Sequence, residues 1–190
     1  MTQVLTSFYD SYDEAKRTVG NLEAAGIPGS DISIIASRAD DPHSSGAASG
    51  AGVGLIAGGG AGLLAGLGVM AIPGIGPVVA AGWLAATLVG AAAGAAGGGL
   101  IGALVSAGAS EEKDAHVYAE GIRRGGNLVS VRVDDAQANT ASMILQHHRP
   151  VDVVRRRALY EKEGWRQFDP EAIPYTPPQV MGQSDTIPRK

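Results

Sequence analysis

Apolar residues at the start of the chain switch from strand-like to helical spacing and back. Gln3 to Phe8 is a short, partly β-branched run that predicts a strand. Ser11 followed by Glu14 forms a capping-box signature, and Ala15, Val19, Leu22 and Ala25 then recur at three or four residues. A helix is therefore predicted from Tyr12 to about Ala25, stopped by Gly26, with a strand from Asp31 to Ala36 after it. The same order returns near residue 110. Ser110 and the acids Glu111, Glu112 and Asp114 open a helix whose N-terminal dipole favours negative charge, and Gly125-Gly126 closes it. Asn127 to Val133 reads as a strand and Ala136 to about His148 as a helix capped by Asp135. Val151 to Val154 is apolar enough for a final edge strand.

Joined up, the order is β-α-β, insertion, α-β-α-β. Without the insertion and its trailing helix it becomes β-α-β-β-α-β, the split βαβ sandwich of ferredoxin-like α+β domains, with two helices on one face of an antiparallel sheet. The expected organisation is a first half-domain over residues 1–41, an inserted segment over 42–110 and a second half-domain over 111–154. A short helix and Pro-rich arm fill 155–190.

The insertion has its own pattern. Gly46, Gly50, Gly54, Gly58, Gly62 and Gly66 recur every fourth residue, and a second row of small residues runs Gly82, Ala86, Gly90, Gly94, Gly98, Gly102 and Ser106. On helices these form smooth ridges that allow close backbone approach, as in transmembrane GxxxG pairs. Between the rows, Ile72-Pro73-Gly74-Ile75-Gly76-Pro77 holds two helix-breaking prolines and two glycines suited to a reversal. The pattern predicts a glycine-zipper helical hairpin with its turn at 72–77. Its first helix, from about Gly50 to Ala71, would rise about 33 Å, enough for a hydrocarbon core of about 30 Å. Its second would run from Val78 to Ala107. The zipper faces are expected to be buried between helices and the Leu-rich faces to meet lipid. Trp83, just past the turn, is a candidate interface anchor.

Charge sharpens this picture. Every Asp, Glu, Lys and Arg lies at or before Asp41 or at or after Glu111, so the insertion is electrically bare. The 190-residue chain has a net charge of -4, without the basic excess that binds phosphates, which excludes nucleic acid as the main partner. There is no cysteine, hence no disulfide framework or thiolate chemistry. Met1 to Arg17 carries Asp10, Asp13 and Glu14 where a signal peptide needs an apolar run, so the globular part is expected in the cytoplasm.

Candidate chemistry is sparse. His147 and His148 are adjacent and point about 100° apart on a helix, while His43 and His116 lack any metal-ligand spacing, so no metal is assigned. Formal GxGxxG matches lack a βαβ context, no Gly-x-Ser-x-Gly elbow occurs, and Asp134-Asp135 reads as a helix cap. No cofactor, catalytic residue or small-molecule substrate follows. Arg155, Arg156 and Arg157 suit either anionic headgroups and acidic partners or a solvated helix paired with Glu161 and Glu163. Trp165, Phe168, Ile173 and Tyr175, set among Pro170, Pro174, Pro177 and Pro178, describe an extended arm with aromatic anchors for its own domain or a neighbouring subunit.

The segments SYDEAKRTVGNLEAAGIPGSDISIIA, AIPGIGPVVAAGWLA (Ala71 to Ala85) and EGIRRGGNLVSVRVDD resemble the bacterial general stress protein family of the 17M type, over roughly Val4 to Val154 and in the same order. That family includes proteins described as low-temperature-induced or heat-induced. The resemblance implies a stress association and no catalytic activity. The expected function is a non-enzymatic, homo-oligomeric protein associated with membrane lipid through its zipper hairpin. The alternative is a soluble assembly whose zipper helices share a core.

Overall fold

The computed structural model describes residues 2–37, 68–93 and 99–172. It is an α+β arrangement of one antiparallel sheet with helices on both faces. In chain order the elements are β1 (Thr2–Tyr9), α1 (Tyr12–Ala24), a 3-10 turn (Gly29–Asp31), β2 (Ile32–Ser37), β3 (Gly68–Ile72), β4 (Gly76–Gly82) and α2 (Trp83–Ala93). They continue with α3 (Gly99–Ser106), α4 (Glu112–Arg123), β5 (Asn127–Asp134), α5 (Ala138–His147) and α6 (Val153–Lys162).

Among the described residues five strands lie in the order β1-β5-β2-β4-β3. β5 is antiparallel to both β1 and β2, with Leu5 opposite Val131 and Ile34 opposite Val129. β1 and β2 therefore run the same way with β5 inserted between them. The two-residue period of a strand divides the core in two. Ile32, Ile34, Val129, Val131 and Val133 meet Ala15, Val19 and Leu22 of α1 and Ala141 and Leu145 of α5 on one face. Ile35, Val78, Ala80 and Leu128 join Leu84, Leu88, Leu100, Leu104, Ala119 and Ile122 of α2, α3 and α4 on the other. Every residue of β2 is buried as a result.

The first flank forms as its pattern predicts, with Gly26 at φ +86° ending α1, although the Ser11 side chain makes no capping bond. α4 starts in the expected acids and Gly125, at φ +105°, ends it. Two local expectations fail. The N-cap position of α5 is Gln137, not Asp135, and it has no side-chain cap bond; Gln137 N–H donates to the Asp134 carboxylate in the turn before the helix. Residues 151–154 form no strand: Val151 N–H donates to Phe8 O at 2.7 Å, one bond along the outer edge of β1, and Asp152 then caps α6 through Arg155 N–H.

The larger correction concerns the insertion. Residues 68–72 and 76–82 are not helical; they are a β-hairpin that extends the sheet from β2, with Ile35 opposite Ala80 and Val69 opposite Val79. Pro73, Gly74, Gly76 and Pro77 do sit at a reversal, but between strands. Ile75 N–H bonds to Ile72 O at 3.1 Å, and Pro73 followed by Gly74 at φ +74° has the residue pattern of a type II turn. The predicted helix from Val78 to Ala107 begins only at Trp83 and is described in two pieces, α2 and α3. The physical reason is that β2 has apolar residues on both sides, and Val78, Val79, Ala80 and Ala81 cover its otherwise open edge. Tertiary burial of β-branched valines outweighs a fourfold periodicity in Gly and Ala, whose own helix preference averages out weak.

Candidate functional site

Among the described residues, the uncharged segment is the part of the surface that a functional reading has to explain. Gly46, Gly50, Gly54, Gly58, Gly62, Gly66, Gly94 and Gly98 lie outside the described residues. Gly82 ends β4 at φ +88°, and a Cβ there would lie 2.1 Å from the carbonyl oxygen of Ile32. This glycine permits a strand-to-helix corner pressed on β2, not a helix ridge. Gly90 lies within α2. Ala86 on α2 is exposed, and a Cβ on Gly102 of α3 would meet nothing within 4 Å.

The helices are thus oriented opposite to expectation. Leu84, Leu88, Leu100 and Leu104 are buried against the sheet, while Ala86, Gly99, Ser106 and Val105, the last 40 % exposed, face outward. Leucine gains far more than alanine or glycine on leaving water, so the leucine stripe takes the core. Beside this lies β3. Its register is set by β4 alone among the described residues, and Gly68, Val69 and Ala71 are exposed, Val69 by 47 %. Among the described residues β3 ends the sheet, with neither a charge nor a proline in the strand.

Trp83 is held by its own domain. Its Nε1–H donates to Asp31 O at 3.1 Å, and the Arg132 guanidinium lies 4.9 Å from the ring centroid while pairing with Asp31 at 2.9 Å. Two members of the arginine run are likewise engaged. Arg156 pairs with Asp10 at 2.7 Å, and Arg157 pairs with Asp114 at 2.6 Å and donates to Lys113 O. Arg155 is exposed. The partners are long-range acids, not Glu161 on the same helix or Glu163 just after it. Their effect is to fasten α6 to α4 and to the β1–α1 turn.

The arm after α6 docks on the same side. Trp165 packs edge-on to Tyr160 at 5.6 Å, and Arg124 stacks 4.3 Å from the Tyr160 centroid while pairing with Glu163. Phe168 is buried in the cluster that contains Ile72 and Ile75, and its N–H donates to His116 Nδ1 at 3.3 Å. The backbone of Asp169 and Pro170 lies directly on the hairpin turn: a Cβ on Gly74 would come within 2.6 Å of Asp169 O. Tyr175 lies outside the described residues.

The ionisable groups build structure. Glu120 is almost fully buried and accepts from Arg123 at 2.7 Å and from Arg124 at 2.6 Å, an i,i+3 and i,i+4 fork. Burial, with the Asp114 charge adding to it, pushes the Tyr118 hydroxyl up to about 12. His148 accepts from Asn21 at 2.7 Å, and the rings of His147 and His148 meet edge to face. No three His, Cys, Asp or Glu side chains among the described residues converge to hold a metal ion. An open cleft of about 450 Å³ is lined by Glu111, Glu112, Lys113 and His116.

Sequence reasoning misses Glu120 and the β3 edge, and weighs His116 only as a metal ligand. The Glu120-Arg123-Arg124 spacing was a readable signal for the first. The contact of His116 with Phe168 spans fifty-two positions, and the β3 edge depends on β4 pairing with β2 from 41 to 49 positions away, so neither leaves a local trace. No protein-family model, curated protein or solved structure matches the chain.

Proposed function

We propose that this protein is a non-enzymatic, stress-associated assembly module, a ferredoxin-like core that lacks the final strand of the split βαβ pattern and is widened by a β-hairpin, whose copies join through the edge of β3. The observation that carries the reading is an edge strand with no charge, no proline and an exposed valine. Natural sheets usually blunt such edges with lysine, proline or a bulge, because unpaired N–H and C=O groups recruit another strand. A second copy is the occupant that fits. Antiparallel pairing of β3 with β3 about a two-fold axis is self-complementary, and a strand without charge brings no like-charge repulsion to that axis.

The stress association rests on the sequence resemblance. Membrane lipid is the weaker partner for the described part of the insertion: none of the described helices is long and apolar enough to cross a membrane, and the leucines of α2 and α3 are already buried.

The test is sedimentation of the purified full chain across about 1–200 µM, with Val69→Lys as the variant, because it places a lysine from each copy on the shared edge. The wild type should form a dimer and the variant should associate at least about tenfold more weakly with an unchanged circular dichroism spectrum. A wild type that stays monomeric throughout ends this reading. Retention in a cell membrane pellet through a carbonate wash would replace it with the inserted hairpin.

A further inference from the structure

We infer that two copies of β3 pair in one register, about a two-fold axis at Met70, so that a second Met70 completes the core on the α2–α4 face. This register presupposes the β3 contact proposed above. In an antiparallel sheet the N–H and C=O groups of successive residues point to opposite sides, so one bond sets the direction for a whole strand. Ser37 N–H donates to Gly126 O at 3.4 Å, toward β5. Ser33 and Ile35 therefore bond toward β5 as well, and Ile34 and Ala36 toward β4. Their partners Ala81 and Val79 face back to β2, which turns Val78 and Ala80 toward β3. Met70 and Gly68, opposite Val78 and Ala80, then bond to β4, while Val69 and Ala71 hold their N–H and C=O outward. Pro77 agrees with this alternation: opposite Ala71, it has no N–H to give to β3.

Val69 and Ala71 are thus the residues of β3 whose backbone can bond a second copy. With the axis at Met70, Val69 of each copy faces Ala71 of the other, and both pairs exchange their N–H···O bonds. An axis at Val69 sets Ala71 opposite residue 67, before the start of the strand. An axis at Ala71 sets Val69 opposite Pro73, which has no N–H. The Met70 register uses every outward group within Gly68–Ile72.

Side chains follow the same alternation. Met70 packs against the cluster that holds Ile72, Val78 and Ala80 and is only partly buried, whereas Val69 and Ala71 point to the other face and are exposed. At the axis the two Met70 residues form a non-hydrogen-bonded pair with Cα atoms about 4.5 Å apart, the closer of the two cross-strand spacings. Their flexible thioether chains cover each other and join the two α2–α4 cores into one. On the opposite face each exposed Val69 meets an Ala71.

The chain has no cysteine, so a single introduced thiol reports the register directly. Met70→Cys, Val69→Cys and Ala71→Cys in the full chain are first measured by sedimentation in the reduced state. They are then oxidised with diamide, which accepts the two thiol hydrogens as the disulfide forms. Met70→Cys should give covalent dimer at least about tenfold faster than either neighbour, because its thiol alone meets its own copy across the axis. Val69→Cys and Ala71→Cys should link to each other when mixed and far less when kept apart, a measurement independent of how Met70→Cys folds. Variants that sediment as dimers but link fastest through Val69→Cys or Ala71→Cys alone, or not at all, overturn the register and leave the β3 contact standing. A wild type and variants that all stay monomeric overturn both.

Discussion

Gly82 and Gly102 belong to one sequence row but meet different surroundings, and replacing each by alanine should shift stability in opposite directions. At Gly82 the backbone is at φ +88°, and a new Cβ would sit 2.1 Å from Ile32 O and 2.8 Å from Ser33 Cα. Both obstacles are backbone of the central strand β2, which is buried along its whole length and has little freedom to move. A left-handed alanine costs about 1 kcal/mol, and forcing a methyl into packed backbone adds about 2 kcal/mol. The total of about 3 kcal/mol is a large part of the stability of a typical domain and should lower the melting temperature by roughly 6–12 °C. At Gly102 the Cβ meets nothing within 4 Å and the residue lies inside α3. Helix preference alone then applies, and Gly102→Ala should gain up to about 1 kcal/mol, or roughly 2–4 °C. Thermal and urea unfolding followed by circular dichroism, at one fixed protein concentration because association adds to stability, measures both. Refutation takes either of two forms. A Gly82→Ala midpoint equal to wild type would mean that residue 82 is not at a tight corner. A strong loss from Gly102→Ala would mean that another helix presses on α3 there, as a buried zipper requires.

Three further outcomes follow from the same packing. Cβ atoms at Gly121 and Gly126 would come within 2.4 and 2.0 Å of Phe8 Cζ, so Gly126→Ala and Phe8→Leu should each destabilise. Together they should cost at least about 1 kcal/mol less than the sum, since the smaller side chain vacates the space; strict additivity in a urea-unfolding cycle would disprove that seat. Glu120→Gln leaves Arg123 and Arg124 without their buried carboxylate and should cost about 3 kcal/mol, with a loss below 1 kcal/mol counting against the fork. Tyr118 should be among the last tyrosines to ionise in an ultraviolet titration, near pH 12. Because its folded value is raised, the stability it contributes is complete below about pH 10 and lost as the pH climbs through about 12, so Tyr118→Phe should flatten that alkaline fall.

The flanks were readable from sequence because their signals are local. Ala15, Val19 and Leu22 mark a helical face, Gly26 and Gly125 mark stops, and all are found in those roles. The reversal at Pro73-Gly74 was equally local and was located correctly, yet the elements on either side were not. Gly and Ala at every fourth place look like a helix ridge, but such residues neither demand a helix nor resist a strand. Val78 to Ala81 took strand form because β2, far away in sequence, needed a partner on its edge. The orientation of α2 and α3 followed from the size of leucine against alanine, which a spacing rule does not weigh. His116 and Phe168 are fifty-two positions apart, and the docking of α6, through Arg157 on Asp114, Arg156 on Asp10 and Arg124 on Glu163 and Tyr160, brings the arm across α4. The final strand was misread because Val151 to Val154 is apolar for different reasons: Val151 lies along β1, and Val154 is exposed on α6.

The most direct test of the central claim, a β-hairpin whose outer strand joins copies of the chain, is residue-resolved amide exchange of β3 at low and high protein concentration. The account predicts that the β3 amides directed toward β4 are protected at every concentration, whereas the alternate amides become protected only as dimer forms, with the same midpoint as in sedimentation. Outer amides that exchange freely at all concentrations would contradict pairing between copies. Outer amides already protected at high dilution would contradict it too, and would give the edge of β3 to another part of the same chain.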